Sequence, residues 1–427
     1  TSFSFKSTKM KLVKMSFLAA TLIASDAFAI DNVKVDGDTK LSYATWDGAN
    51  GETLFDQGSA MGEASLRLGV TADLTEGVSG GATLYAISTL GLENNLVGAT
   101  WTGGLHDNFW FGEAWLAGTY GKTTGKIGRM ELDTPMVFTE TWSVVPNTFE
   151  AAVVINQDIP GTTLVGAYVG QSNDIVVNGT GTDIAVGTGA EDARSDVFSS
   201  FYQGAYAAGA VNNSWEPLTV QAWYYQAQHL LSAYWVQGDL NIIGLDFGVQ
   251  FAGSNYTDAG AQALTGNPLG TRSDNTAIAA KLGYEMKDTF TVSAAFSQTG
   301  KDDTNGLGAG ANLAGSGQSK LYTEAWWGYG YVSRTDTSAI NVTATTPEEL
   351  TWVALGAYLT QVTVGENGTG ADRKQDMTEV TLEAAKSFGP LDVGLYYILT
   401  DAEDQNLDTA GNGQAYNTVQ AYLTYNF

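Results

Sequence analysis

The chain has 427 residues, of which only 15% are charged, with 20 Lys plus Arg against 46 Asp plus Glu, and 51 are glycine. So sparse a charge excludes an ordinary multi-domain soluble protein, whose residues are about 25% charged. The net charge of -26 excludes a nucleic-acid binder, which needs a basic footprint. There is no cysteine for disulfides or thiolate metal sites, and no apolar run of about 18 residues for a membrane-spanning helix.

The N-terminal stretch places Lys11 and Lys14 before the apolar run Met15 to Ala24, and Ala27-Phe28-Ala29 supplies the small residues of a cleavage site. This is the three-region pattern of a secretory signal peptide, so residues 1–29 are set aside from the fold, with Met10 as the natural start and the residues before it non-native. Removing four lysines and one aspartate leaves 16 basic and 45 acidic residues, a formal charge of -29.

From there strict alternation recurs. Ala64, Leu66, Leu68 and Val70 alternate with Glu63, Ser65, Arg67 and Thr71. Phe290, Val292, Ala294 and Phe296 alternate with Thr291, Ser293, Ala295 and Ser297; Val380 and Leu382 with Glu379, Thr381 and Glu383; Leu391, Val393, Leu395 and Tyr397 with Asp392, Gly394 and Tyr396. Runs of about 9 to 13 residues suit membrane-crossing strands better than the five or six residues usual in globular sheets. Short connections (Asp73 to Gly77, Gly121 to Thr124, Asp158 to Gly161, Asn212 to Pro217, Gly238 to Asn241, Lys287-Asp288, Gly389-Pro390) take turns with long ones such as Gly91 to Asp107, Gln171 to Val197 and Gly300 to Ser319. Tight turns at one rim and long loops at the other predict an all-β, transmembrane antiparallel barrel of about 18 strands, within 16 to 20, as one domain over 30–427. Closure follows from lipid offering no partner to backbone N–H and C=O groups. The links near Gln226 to His229, very short, and Val332 to Glu349, too long for an inner turn, leave the count open by two. Trp46, Trp110, Tyr120, Tyr284, Trp352, Tyr425 and Phe427 fall near strand ends, where aromatic girdles sit. The chain closes on Tyr416 to Phe427, an amphipathic strand with a terminal Phe. It is similar to the C-terminal signal read by the barrel assembly machinery, a predicted partner alongside outer-membrane lipid and lipopolysaccharide.

The segment Tyr120 to Pro135, YGKTTGKIGRMELDTP, continued by Met136 to Tyr168, resembles the Opr-family porins, including porin-D-type channels and the campylobacterial major outer membrane proteins. In that family a strand of the GR…LDTP form leads into a loop folded inside the barrel. The resemblance implies an 18-strand monomeric barrel, often packed as a homotrimer, that passes small hydrophilic solutes. Read from its own residues, the strand Thr124 to Leu132 places Arg129 and Glu131 on one face and Lys126, Gly128, Met130 and Leu132 on the other. Charge belongs in the lumen, so Arg129 and Glu131 are expected in the pore wall, with Lys126 snorkelling at the periplasmic rim. Pro135 ends the strand. The loop at about 133–148, carrying Asp133 and Glu140, is the candidate constriction.

Alternation directs Lys40, Glu63, Arg67, Glu113, Asp246, Lys281, Glu285, Glu324, Glu379, Glu383 and Asp392 inward as well. The pore-lining candidates are therefore Arg129, Glu131, Asp133, Glu140, Arg67, Glu63, Glu113, Glu379 and Glu383. Acids prevail among the inward charges, which predicts weak cation selectivity. The sequence departs here from the porin-D pattern of a basic ladder, having six arginines in all, and a general diffusion pore is favoured over substrate-specific uptake. No cofactor is required; Ca²⁺ could bind paired acids such as Glu63 with Glu131, Glu379 with Glu383, or Asp302-Asp303. An enzyme is disfavoured, because the two histidines, His106 and His229, stand in no recognisable constellation. The competing reading is an adhesin or surface antigen that works through its external loops. Gly306 to Ser319 reads as a low-complexity, mobile loop with no packed structure expected.

Overall fold

Side chains that alternate in solvent preference force a strand to choose two different surroundings, and in the computed structural model the chain resolves that choice as a closed barrel. The structure describes residues 30–427 except 50, 94, 101–106, 141–142, 175, 179–184, 188–195, 229, 258–274, 302–308, 315–317 and 366–374; for 176–178, 185–187 and 202 it describes the backbone alone. The signal-peptide stretch, His106, His229 and Asp302-Asp303 thus lie outside the described residues.

The first strands are β1 (Asp31–Trp46), β2 (Ala60–Thr75), β3 (Val78–Ser88), β4 (Asn108–Tyr120), β5 (Thr123–Met130), β6 (Phe149–Asn156) and β7 (Thr162–Ser172). A small ribbon, β8 (Val176–Asn178) with β9 (Ala185–Gly187), forms a two-stranded sheet of its own. The wall resumes with β10 (Ser199–Trp215), β11 (Leu218–Ala227), β12 (Leu231–Ile242), β13 (Leu245–Tyr256), β14 (Asn275–Met286) and β15 (Phe290–Thr299). It ends with β16 (Thr337–Thr346), β17 (Ala354–Val364), β18 (Met377–Phe388), β19 (Leu391–Ala402) and β20 (Tyr416–Asn426). The barrel is an 18-stranded antiparallel sheet in which β7 pairs β10 across the ribbon, and β20 pairs β1 with Thr424 opposite Lys40 and Leu423 opposite Leu41. That last pairing removes the sheet's edges, as lipid requires.

Strand β13 shows the two environments most plainly. Leu245, Phe247, Val249 and Phe251 stand on the outer face, Val249 62% exposed, while Asp246, Gly248, Gln250 and Ala252 point inward, Gln250 only 4% exposed. An apolar outer face of this kind is a lipid-facing belt. Tyr120, Tyr284, Trp352, Tyr425 and Phe427 are exposed near strand ends, as the girdle predicts. Trp110 is not among them: it is buried on the inner face, edge-on to Tyr85 at 5.9 Å.

Strands β2 and β3, β4 and β5, β10 and β11, β12 and β13, and β18 and β19 are joined by two-residue links. The expected turn at Gly238 to Asn241 is instead part of β12, where Gly238 pairs with Val249. The chain reverses at Ile243-Gly244, both with positive φ (54° and 78°), as a type I′ turn demands. A β-branched residue is strained in that conformation, so nothing in the residue types signals a turn there. The two doubtful junctions also settle. The short link after Ala227 joins β11 to β12, and the span Val332 to Glu349 contains β16, whose partner β17 follows a helical turn at Glu348–Thr351.

Candidate functional site

Two long connections at the rim opposite the tight turns pack against the inner wall: residues 131–148 between β5 and β6, and residues 309–336 between β15 and β16. The first is seated on apolar side chains. Met130, Met136, Val137 and Phe149 are buried together with Phe201, Trp223 and Tyr225 of the wall, and the Met136 N–H donates to the Tyr225 hydroxyl at 3.3 Å. Farther round, the Ser65 hydroxyl of β2 donates to the Val144 carbonyl at 2.9 Å.

The second connection is held by carboxylates. Glu379 of β18 accepts from the N–H groups of Trp327 at 2.9 Å and Gly328 at 2.5 Å. Glu324 closes a bowl from within the segment, accepting from the N–H groups of Ser319 (2.7 Å), Gly330 (3.0 Å) and Ala325 (3.3 Å), and from the Ser319 hydroxyl. Its burial pushes the carboxyl up to about 7 despite those donors. Asp404 receives the Tyr331 hydroxyl and, at 2.9 Å, the Arg334 guanidinium; Asp239 receives the Tyr322 hydroxyl at 2.5 Å.

The two connections also meet each other. Asn312, fully buried, accepts from the Phe138 N–H at 3.2 Å and donates to the Phe138 carbonyl at 2.9 Å, while the Leu313 N–H donates to the Met136 carbonyl at 2.8 Å. Lys320 forms an ion pair with Asp133. Around this junction lies a cavity of about 570 Å³ walled by Glu131, Asp133, Glu140 and Lys320. It shares Gln318 with a second cavity, of about 470 Å³, that runs beneath residues 309–336.

The expected residues distribute as follows. Glu63, Arg67, Glu113, Glu379 and Glu383 point into the barrel from β2, β4 and β18. Arg67 is paired with Asp38 at 2.5 Å and Asp36 at 3.1 Å; Glu113 accepts from the Thr83 hydroxyl at 3.0 Å. Glu131, Asp133 and Glu140 come from the first inner connection. Glu131 lies beyond the end of β5 and accepts from the Tyr85 hydroxyl at 3.1 Å.

Arg129 is a correction. It sits on the outer face beside Ile127, paired with Glu150 at 2.9 Å, donating to the Phe111 carbonyl at 3.0 Å and lying over the Phe198 ring. The inner face of β5 holds Lys126, 4.2 Å from the Trp115 ring centre, and buried Met130. The assumption that charge turns inward fails because the first connection covers the upper end of β5: Met130 finds an apolar interior, and Arg129 finds a neutralising partner outside. Glu324 is a second correction, belonging to the inner connection and to no strand. Among the described residues no group of three or more acidic or histidine side chains is arranged to hold a metal ion. Glu379 is engaged by backbone N–H groups, and Glu383 by the hydroxyls of Tyr358 (2.6 Å) and Tyr396 (3.3 Å). A third correction is the stretch expected to be a mobile, unpacked loop: residues 309–314 are buried, Asn312 among them. The sequence pattern does not point to Asn312, Gln318, Lys320 or Trp326, because loop residues carry no period, and the Pro135 break is the one local sign that the chain turns inward.

No protein-family model and no curated sequence matches the chain. Solved structures do. OccAB1 of Acinetobacter baumannii superposes with a TM-score of 0.73 at 12% identity, covering 94% of this chain and 98% of that one. OccK8 (OprE) of Pseudomonas aeruginosa gives 0.69 at 15% identity, covering 94% and 99%, and OccK3 (OpdO) of the same organism 0.65 at 12%, covering 93% and 96%. The fold of this chain, a closed 18-strand antiparallel barrel, is therefore one that it shares with these proteins along nearly its whole length.

Proposed function

We propose that the barrel is an outer-membrane porin through which small hydrophilic solutes and ions diffuse passively, with a weak preference for cations. The observation that supports the reading is the junction of the two inner connections, around which lies a cavity walled by Glu131, Asp133 and Glu140. Three carboxyl groups and one ammonium, that of Lys320, line it, and such a surplus of acid concentrates cations and repels anions. Inward acids of the wall, among them Glu63, Glu113, Glu383 and Asp392, extend that field along the path. The reading includes a removable leader over residues 1–29, insertion guided by the strand that ends at Phe427, assembly as a homotrimer, and an acidic external rim facing cation-bridged lipopolysaccharide.

Liposome swelling with sugars of graded size is the test of the channel itself: swelling that falls off with solute size is expected. Absence of permeation would mean a surface platform that works through its external loops.

A further inference from the structure

The cavity beneath residues 309–336 is built differently from the acidic junction beside it. Trp326 presents its indole 40% exposed, stacked on Tyr396 with ring centres 4.9 Å apart and planes 27° apart, with Tyr358 at 5.3 Å. Tyr422 stands edge-on to Tyr396 at 5.7 Å. The group is fixed from behind: the Tyr358 and Tyr396 hydroxyls are tied to Glu383, and the backbone next to Trp326 is tied to Glu379. What remains available is a flat aromatic face.

The same cavity is lined by polar groups that lack a hydrogen-bond partner among the described residues. Gln420 is 1% exposed, yet its Nε2 has no hydrogen-bond partner among the described residues; Gln318 Oε1 likewise has none. Both residues line the cavity, with Lys40. A buried polar atom left unpaired is costly, so such atoms call for an explanation where they occur together.

We infer that this cavity is a subsite for a neutral pyranose sugar. One unpaired group is a donor and the other an acceptor, and a hydroxyl, being both, satisfies each. The apolar C–H face of a sugar ring fits against the indole. An organic cation would meet Lys40 at close range, and a carboxylate would meet the acceptor Gln318 and the electron-rich ring faces. The cavity, about 470 Å³, falls within the size of ordinary small-ligand sites, about 300–1,000 Å³. This deepens the channel reading and rests on it for its biological use, although the binding itself does not require conduction.

The test is therefore equilibrium binding to the detergent-solubilised full-length barrel, read by intrinsic tryptophan fluorescence, with maltose, glycine betaine and acetate as probes. Saturable quenching by maltose alone is expected, weakened at least tenfold in Trp326→Ala and in Gln420→Ala and largely kept in Trp326→Phe. Maltose binding that is absent, or unchanged in Trp326→Ala and Gln420→Ala, or weaker than that of betaine or acetate, overturns the proposal. Ion conductance measured on the same preparation reports separately on the channel reading, and heat-modifiable mobility verifies that the variants are folded.

Discussion

The two inner connections lie side by side and reach their places by different physics. Residues 131–148 are held by apolar burial around Met130, Met136 and Phe149, and residues 309–336 by carboxylates that collect backbone N–H groups, chiefly Glu379 and Glu324. Burial of apolar surface is indifferent to pH, whereas a carboxylate that gathers donors is a titratable clamp. The comparison teaches that one half of the proposed constriction is a fixed sill and the other an adjustable one.

The largest effect belongs to the fixed half. Phe149→Ala removes a fully buried ring packed edge-on to Phe201 at 5.8 Å, and a cost of about 3–5 kcal/mol is expected. Denaturant unfolding in micelles should show that loss equally at pH 5 and pH 8; a pH-dependent loss would break the comparison. On the adjustable half, Glu379→Ala strands the N–H groups of Trp327 and Gly328, each bond to the carboxylate being worth about 1.5–3 kcal/mol. Hydrogen exchange should quicken at those two amides and stay unchanged at Met136.

Asn312→Ala cuts both bonds to Phe138 and should weaken the joint between the halves by about 1–3 kcal/mol. Flickering of the single-channel current, absent in the parent, is the expected sign. A pH dependence follows from Glu324. Its folded pKa of about 7 lies above the ordinary carboxyl value of 4.5, so the seated segment holds the proton more tightly than the released one. Its contribution is complete below about pH 4.5, declines as pH rises toward 7, and is flat above that. Exchange protection of residues 318–330 should fall through that window and become flat in Glu324→Gln.

The smallest effect is expected at the outer wall. Arg129→Gln breaks a half-buried pair at the surface, worth about 1 kcal/mol, and should leave ion selectivity unchanged, while Lys126→Gln, on the inner face of the same strand, should increase cation preference. The reverse outcome would restore the sequence-based phase of β5.

That phase marks how far the sequence could be read. Where a strand alternates between lipid and water over its whole length, as β13 and β20 do, the pattern identifies both faces, and the strand number and closure follow. In β5 the interior is itself partly apolar, so Met130 and Arg129 exchange their expected sides. The inner connections were legible only as an interruption at Pro135, since their partners, such as Asn312 for Phe138 or Glu379 for Trp327, are set by long-range closure and leave no period behind.

Reversal potential across a tenfold KCl gradient in planar bilayers bears most directly on the channel and its acidic constriction. The account expects discrete conductance steps and a potential of the sign that marks cation preference, reduced toward zero in the double variant Glu131→Gln, Glu140→Gln. An anion-selective potential, or one untouched by that double variant, would contradict it.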